Sequence, residues 1–135
     1  MDSSDFDVNG TQPSLIGSSC SDLIVEEYWH KGELDNPANV IWLHVDSNWH
    51  RLTLDCGVVF WRSNVGYGPK AYEMPELESQ VRLTSLGQTL EVAGRVIANV
   101  STRSVEDGLE VALQWDSGDR LVFCHFNDKT SYYTV

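Results

Sequence analysis

The sequence lacks the features of a membrane-spanning or nucleic-acid-binding protein. Its apolar runs fall well short of the roughly 18 residues that a membrane helix requires. Positive charge is scarce: 9 Lys and Arg stand against 20 Asp and Glu, and the formal net charge is −11. Such a chain repels phosphate backbones and anionic lipids, so we expect neither nucleic acid nor a membrane as a partner.

Cysteine is also sparse. The chain has three cysteines, Cys20, Cys56 and Cys124, an odd number with no two close together in sequence. This spacing predicts neither a disulfide framework nor a paired-cysteine metal site. The start of the chain is acidic and has no apolar segment behind it, which is not the pattern of a signal peptide. We therefore expect a reduced, cytoplasmic protein.

Sequence motifs for catalysis and cofactor binding are missing as well. There is no G-x-S-x-G turn and no glycine-rich loop with a phosphate-binding lysine. A zinc site built from histidines is disfavoured because His44 and His50 are predicted on opposite faces of one hairpin. Cys56 and Cys124 lie in apolar strand contexts, where a thiol is usually inert. We expect no catalysis, no cofactor and no metal.

What the sequence does contain is a series of short strand patterns. Apolar residues alternate with polar ones between turns rich in Gly, Asn, Asp and Ser, and helix is limited to a turn or two around Pro75. The strand segments are Asp22–Trp29, Asn39–Asp46, Trp49–Asp55, Val58–Arg62, Gln80–Leu86, Thr89–Thr102, Leu109–Asp116, Arg120–Phe126 and Tyr132–Val135. We predict an all-β fold with little helix: an antiparallel meander of about 8–9 strands that forms a small barrel or a sandwich.

The acidic residues are spread unevenly along the chain. Residues 1–27 contain six acids and no base. Residues 1–20 are rich in Ser, Asp, Gly and Asn, which predicts a flexible acidic N-terminal tail. Residues 21–135 have the length and the apolar content of a single β-rich domain.

Alternation also predicts which residues share a face in two hairpins. An even-length turn at Asp46–Trp49 pairs Ile41 with Leu54 and Leu43 with Leu52 on an apolar face. On the other face, Trp42 then lies beside Thr53, His44 beside Arg51, and Asp46 beside Trp49.

In the second hairpin, a two-residue turn at Ser117 and Gly118 is expected, because Gly tolerates the positive φ of such turns. It places Glu110 opposite His125, on a face with mixed polarity.

The polar face of the first hairpin predicts a binding surface. Trp and Arg are enriched in interface hot spots. The predicted partner-binding residues are Trp42, His44, Asp46, Trp49, Arg51 and Thr53. The leading hypothesis is a non-catalytic protein-binding module, of the inhibitor or immunity type, that neutralises a basic partner such as a toxin or nuclease.

Three other hypotheses stay open at this point. The first is a small-ligand-binding β-barrel with an aromatic-lined cavity. The second is a homodimer that buries the aromatic face. The third is a small enzyme that uses His44 or His125 for acid–base chemistry.

Overall fold

The computed structural model describes residues 6–135, which are built around one large β-sheet. Strand accounts for 65% of the structure and helix for 5%, which confirms the predicted all-β class with little helix. The sheet has eleven strands, is mostly antiparallel and is not closed, so it does not form the barrel named among the predicted arrangements. The strands are β1 (Asp7–Asn9), β2 (Ser19–His30), β3 (Glu33–Val45), β4 (Asn48–Asp55), β5 (Val58–Ser63), β6 (Tyr72–Met74), β7 (Ser79–Ser85), β8 (Arg95–Val105), β9 (Gly108–Trp115), β10 (Arg120–Phe126) and β11 (Lys129–Thr134).

Strand β2 joins the two halves of this sheet. The main order is β1-β5-β4-β3-β2-β8-β9-β10-β11. The first residues of β2 pair with β8, and the stretch from Ile24 to His30 pairs with β7, which carries β6 on its other edge. A 3₁₀ turn at Pro75–Leu77 agrees with the turn predicted around Pro75. No helix within residues 6–135 is long and apolar enough to cross a membrane.

The inward faces of both halves share one apolar core. Alternate residues of each strand point to the same side, so every second apolar residue is buried there. Large inward side chains include Leu23, Ile41, Leu43, Leu52 and Trp61 from the first half and Leu109, Leu113, Trp115, Leu121 and Phe123 from the second. Burying each of them contributes about 1.5–3 kcal/mol. The halves are also linked by a hydrogen bond of 3.0 Å from the Thr130 N–H to the Asn36 Oδ1.

The β3–β4 hairpin has the predicted faces but a different register. Asp46 and Ser47 have φ values of 51° and 64° and form a two-residue turn. The turn therefore begins earlier than expected, and every predicted pair shifts by two residues. A shift of two preserves the alternation of faces. The predicted pairings of Trp42 with Thr53, His44 with Arg51 and Asp46 with Trp49 are wrong. The observed pairs are Ile41–Leu52, Trp42–Arg51, Leu43–His50, His44–Trp49 and Val45–Asn48.

The β9–β10 hairpin differs from the prediction in its faces as well. Its loop has three residues after Trp115, not two, and is closed by a 2.9 Å hydrogen bond from the Gly118 N–H to the Trp115 carbonyl. Gly118 has a φ of 95°, which favours glycine. Because the register moves by one residue, His125 turns to the buried face and Glu110 lies opposite Cys124. The predicted Glu110–His125 pair is wrong.

The start of β8 also departs from the prediction. The strand predicted over Thr89–Thr102 begins only at Arg95. The chain before it forms a single helical turn, α1 (Leu86–Thr89), capped by the side chain of Ser85. A serine hydroxyl that accepts a backbone N–H stabilises such a helix start, and this local contact overrides the alternating pattern.

Part of the segment 6–20 contacts the sheet, although most of its side chains are exposed. Strand β1 pairs in parallel with β5, and Leu15 is buried in the core. The Gly17 N–H donates a 2.7 Å hydrogen bond to the Ile97 carbonyl. The boundary predicted at residue 20 falls inside β2, and the flexibility predicted for residues 1–20 stays a prediction. The first five of them lie outside the described residues.

Candidate functional site

The six predicted binding residues lie together around the β3–β4 hairpin, but they differ in exposure. Trp42 is only 1% exposed, although it lies on the sheet face opposite the main core, here called the outer face. Its Nε1 donates a 2.6 Å hydrogen bond to the Oε2 of Glu26. Asp46 is exposed, while His44, Trp49, Arg51 and Thr53 are half-buried. Burial removes Trp42 as a direct contact for a partner.

A loop over residues 64–71 covers Trp42. The ring of Tyr67 lies 5.8 Å from the Trp42 ring, with the two planes at 69°. The backbone of Gly68 lies against Trp49, so closely that a Cβ there would be 2.6 Å from the indole Nε1. The rings of Trp42 and Trp49 are 6.2 Å apart in an edge-to-face arrangement. The outer face therefore has a small aromatic core of its own under this loop.

His44 and Asp46 connect the hairpin to the start of β2. The Nδ1 of His44 lies 2.5 Å from the Ser21 hydroxyl, and its ring lies 4.6 Å from that of Trp49. The Ser18 hydroxyl lies 3.4 Å from the Asp46 Oδ2. These contacts position the hairpin, so both side chains already have partners within the chain.

Exposed apolar side chains lie next to the covering loop. Tyr67 is 63% exposed, Tyr72 48% and Leu83 37%. Tyr72 lies opposite Val81 in the β6–β7 pair, and Leu83 lies opposite Glu26 in the β7–β2 pair. Residues paired across antiparallel strands share a face, and Leu83 follows Val81 by two, so all of them lie on the outer face. We call Tyr67, Tyr72 and Leu83 the aromatic patch.

The sequence did not predict the aromatic patch. Leu83 was part of a predicted strand, but Tyr67 and Tyr72 lie in a stretch with no clear alternation. The available signal was two tyrosines close to glycine and proline, which often marks an exposed loop. That signal does not tell which face the loop covers.

A second group of polar side chains lies at the far end of β4. Asp55 ends this eight-residue strand, six residues and about 20 Å along it from Trp49. The β4–β5, β8–β9 and β10–β11 turns surround an open cleft of about 470 Å³, whose lining includes Cys56, Asp107, His125 and Asp128 but no Lys or Arg. We call Asp55, Cys56, His125 and Asp128 the turn cluster.

The turn cluster brings together a thiol, two carboxylates and an imidazole. The candidate ligand atoms of Asp55, Cys56 and Asp128 all lie within 4.8 Å of one another. The Nε2 of His125 is 4.0 Å from the Asp55 Oδ1. The other ring nitrogen, Nδ1, lies 2.9 Å from the Thr130 hydroxyl. These side chains come from two places far apart in the sequence: the end of β4 with its following turn, and the end of β10 with its following turn.

The charges in the cluster oppose a thiolate. A hydrogen bond to the Asp55 carboxylate raises the pKa of the Cys56 thiol, and the negative charges of Asp55 and Asp128 raise it further. Burial raises the pKa of Cys20 to about 12, and it also raises that of Cys124. A cysteine nucleophile needs a lowered pKa, so none of the three thiols is prepared for that role.

No protein-family model, curated protein or solved structure matches this chain. The functional argument therefore depends on the chemistry and exposure of the side chains in the aromatic patch and the turn cluster.

Proposed function

We propose that this chain is a non-catalytic protein-binding module, of the inhibitor or immunity type, that covers a basic partner such as a toxin or nuclease. The observation that carries the proposal is the aromatic patch, where Tyr67 and Tyr72 are 63% and 48% exposed. Exposed tyrosines grouped on one face are typical of interface hot spots. The net charge of −11 favours a basic partner and speeds its approach.

The packing beneath the patch supports this function. The Tyr67 ring rests on Trp42, which is buried and hydrogen-bonded to Glu26. A side chain held in place before binding loses little conformational freedom when a partner arrives. Trp42 and Trp49, predicted from the sequence as direct contacts, act in this proposal as the support for Tyr67.

The alternative hypotheses have less support. A ligand-binding barrel needs a closed sheet, whereas this sheet is open and its inward faces are filled by side chains such as Trp61 and Phe123. An acid–base enzyme needs a histidine that reaches a substrate. His44 is engaged with Ser21, and His125 is almost fully buried.

A reducing compartment, the cytoplasm, is part of the proposal. All three cysteines are free thiols. Cys20 is buried in the core, so it forms no disulfide without unfolding. Free thiols persist in a compartment kept reduced by glutathione and thioredoxin.

A capture experiment with three baits tests this proposal. The baits are the tagged wild type, the Tyr67→Ala/Tyr72→Ala variant, and Tyr133→Ala, which removes an exposed tyrosine from β11. We expect the wild type and Tyr133→Ala to retain the same basic protein from a lysate of the source cells in stoichiometric amount. The double variant loses it, because truncating hot-spot residues costs at least about 2 kcal/mol each.

The association rate then distinguishes long-range electrostatic attraction from direct contact at the aromatic patch. With the captured protein purified, the rate should fall steeply as salt is added, since screening weakens long-range attraction. Retention by the folded double variant would contradict the assignment of the surface. An acidic partner, or a rate that does not change with salt, would contradict the role of the negative charge.

A further inference from the structure

We propose that a cavity between the β3–β4 turn and the covering loop binds one ring of a neutral sugar. We call it the loop cavity, and its volume is about 250 Å³. Its lining consists of Ser47, Asn48, Trp49, Asn64, Val65, Gly66, Tyr67 and Gly68. The loop cavity shares Tyr67 with the aromatic patch, but sugar binding there does not depend on the proposed protein partner.

The lining of the loop cavity favours a neutral ligand. None of the lining residues is Asp, Glu, Lys, Arg or His. A charged ligand would lose part of its hydration in such a cavity and would meet no opposite charge in return. The volume lies just below the roughly 300 Å³ at which pockets for drug-sized ligands begin, so the ligand is small.

Two aromatic side chains provide apolar surface for the C–H groups of a sugar ring. Tyr67 is 63% exposed, and its contact of 5.8 Å with the buried Trp42 ring holds it in place. Trp49 is half-buried on the other side of the cavity lining. A sugar ring carries C–H groups on its faces and hydroxyls around its edge. It therefore suits aromatic side chains that combine an apolar body with a polar tip.

Hydrogen-bonding groups without partners lie beside these rings. The Trp49 indole N–H has no hydrogen-bond partner within residues 6–135, and it is not buried away from solvent. Gly68 leaves it uncovered, since a Cβ there would lie 2.6 Å from the Nε1. The Asn48 Nδ2 donates to the Asp46 carbonyl at 3.1 Å, which leaves its Oδ1 as an acceptor. With the Asn64 amide, the cavity offers both donors and acceptors, as sugar hydroxyls require.

Titration of the isotope-labelled full chain with D-glucose, D-mannose, D-galactose and N-acetyl-D-glucosamine tests the site. The reporter is the Trp49 indole signal in nitrogen–proton correlation NMR spectra, assigned by its loss in Trp49→Phe. We expect at least one of these sugars to shift this signal to saturation, together with the backbone signals of residues 64–68. Glycerol, which has hydroxyls but no ring, and arginine, which adds a positive charge, should produce no saturable shift.

Two pairs of variants locate the sugar. Asn64 has a φ of 54°, so Asn64→Gly removes the amide without backbone strain and should weaken binding about 2–10-fold. Asn127→Gly makes the same change at the same φ in the β10–β11 turn and should leave binding unchanged. Tyr67→Leu should also weaken binding about 2–10-fold, because the aromatic face is lost. Tyr72→Ala alters the aromatic patch outside the cavity and should not weaken it.

Four results would overturn the proposal. The first is the absence of a saturable shift with all of the sugars. The second is an equal shift with glycerol, which would show a general solvent effect. The third is a shift with arginine alone, which would mean that the cavity takes a cation. The fourth is sugar binding that Asn64→Gly and Tyr67→Leu leave unchanged, which would place the sugar elsewhere on the protein.

Discussion

Glu26 is a carboxylate in an almost fully buried position on the outer face, 9% exposed, and it accepts a 2.6 Å hydrogen bond from the Trp42 indole. A buried carboxylate is costly unless it has a hydrogen-bond partner. The indole therefore does two things at this position: it fills the space under Tyr67, and it supplies the donor that the carboxylate needs.

Trp42→Phe separates these two contributions. The variant keeps most of the ring volume but removes the N–H, so we expect the free energy of unfolding to fall by about 1–3 kcal/mol. Adding Glu26→Leu should recover part of this loss, because the carboxylate that lacks a donor is then gone. Urea unfolding measures both variants. Trp29→Phe is the control, since that indole donates to Glu27 at a half-buried position.

Two results with these variants would contradict the role given to the Trp42–Glu26 hydrogen bond. The first is that Trp42→Phe and Trp29→Phe lower the free energy of unfolding by the same amount. The second is that Glu26→Leu lowers it further in the Trp42→Phe background. Either result would mean that the hydrogen bond to Glu26 does not stabilise this face.

At the scale of elements, the sequence predicted strands well and registers less well. All nine predicted segments contain strand, and the strands that were missed include β1 and β6, which have three residues each. Register depends on the length of the turn. The β3–β4 turn lies one residue early, which shifts each partner by two, and the β9–β10 loop has three residues where two were expected. Only the second error changes the faces, and it hid the buried position of His125.

The exposure of the hairpin residues and the existence of the turn cluster could not be predicted, because both depend on contacts between distant parts of the chain. The hairpin residues of the predicted site do come together, because hairpin pairing is local. Their exposure depends on how the loop over 64–71 packs, and this contact is made only in the folded chain. The turn cluster joins the β4–β5 and β10–β11 turns, which no spacing in the sequence connects. Long-range proximity of this kind cannot be read from alternation.

The covering loop is the element whose packing defines the outer face, and Gly68→Ala tests it. A Cβ at this position would lie 2.6 Å from the Trp49 Nε1, so the loop must move away from the indoles. We expect tryptophan emission to shift to longer wavelength and the free energy of unfolding to fall by about 1–3 kcal/mol.

Gly66→Ala is the matched control in the same loop. Gly66 has open space around it but a φ of 82°. Alanine there should cost about 1–2 kcal/mol through backbone strain alone. Its emission should match that of the wild type. If the emission of Gly68→Ala also stays unchanged, the loop does not cover the tryptophans in solution.

At the scale of the whole molecule, the distribution of charge matters as much as its total. Four of the bases form ion pairs with acids, so they compensate charge locally: Lys31 with Glu78, Arg95 with Asp119, Arg103 with Glu110, and Lys129 with Asp35. The cleft between the three turns has carboxylates and no base in its lining. We therefore expect repulsion within the folded state at that end of the sheet.

Two variants with the same net charge test this distribution. Glu106→Lys lies in the β8–β9 turn next to Asp107, and Asp35→Lys lies where Lys129 is 3.7 Å away. Each replaces one acid with one base. In metal-free buffer at low ionic strength, we expect thermal unfolding to shift upward for Glu106→Lys, which relieves repulsion, and downward for Asp35→Lys, which breaks an ion pair and places two lysines together.

The salt dependence of the two unfolding shifts shows whether they are electrostatic. In about 1 M NaCl the screening length falls to about 3 Å, so both shifts should shrink toward zero. Equal shifts for the two variants would mean that only the total charge affects stability, and that repulsion is no stronger at the acidic cleft than elsewhere. Shifts that persist in high salt would mean that the substitutions act through turn conformation. Opposite shifts that fade with salt place the repulsion at the same end of the sheet as the turn cluster.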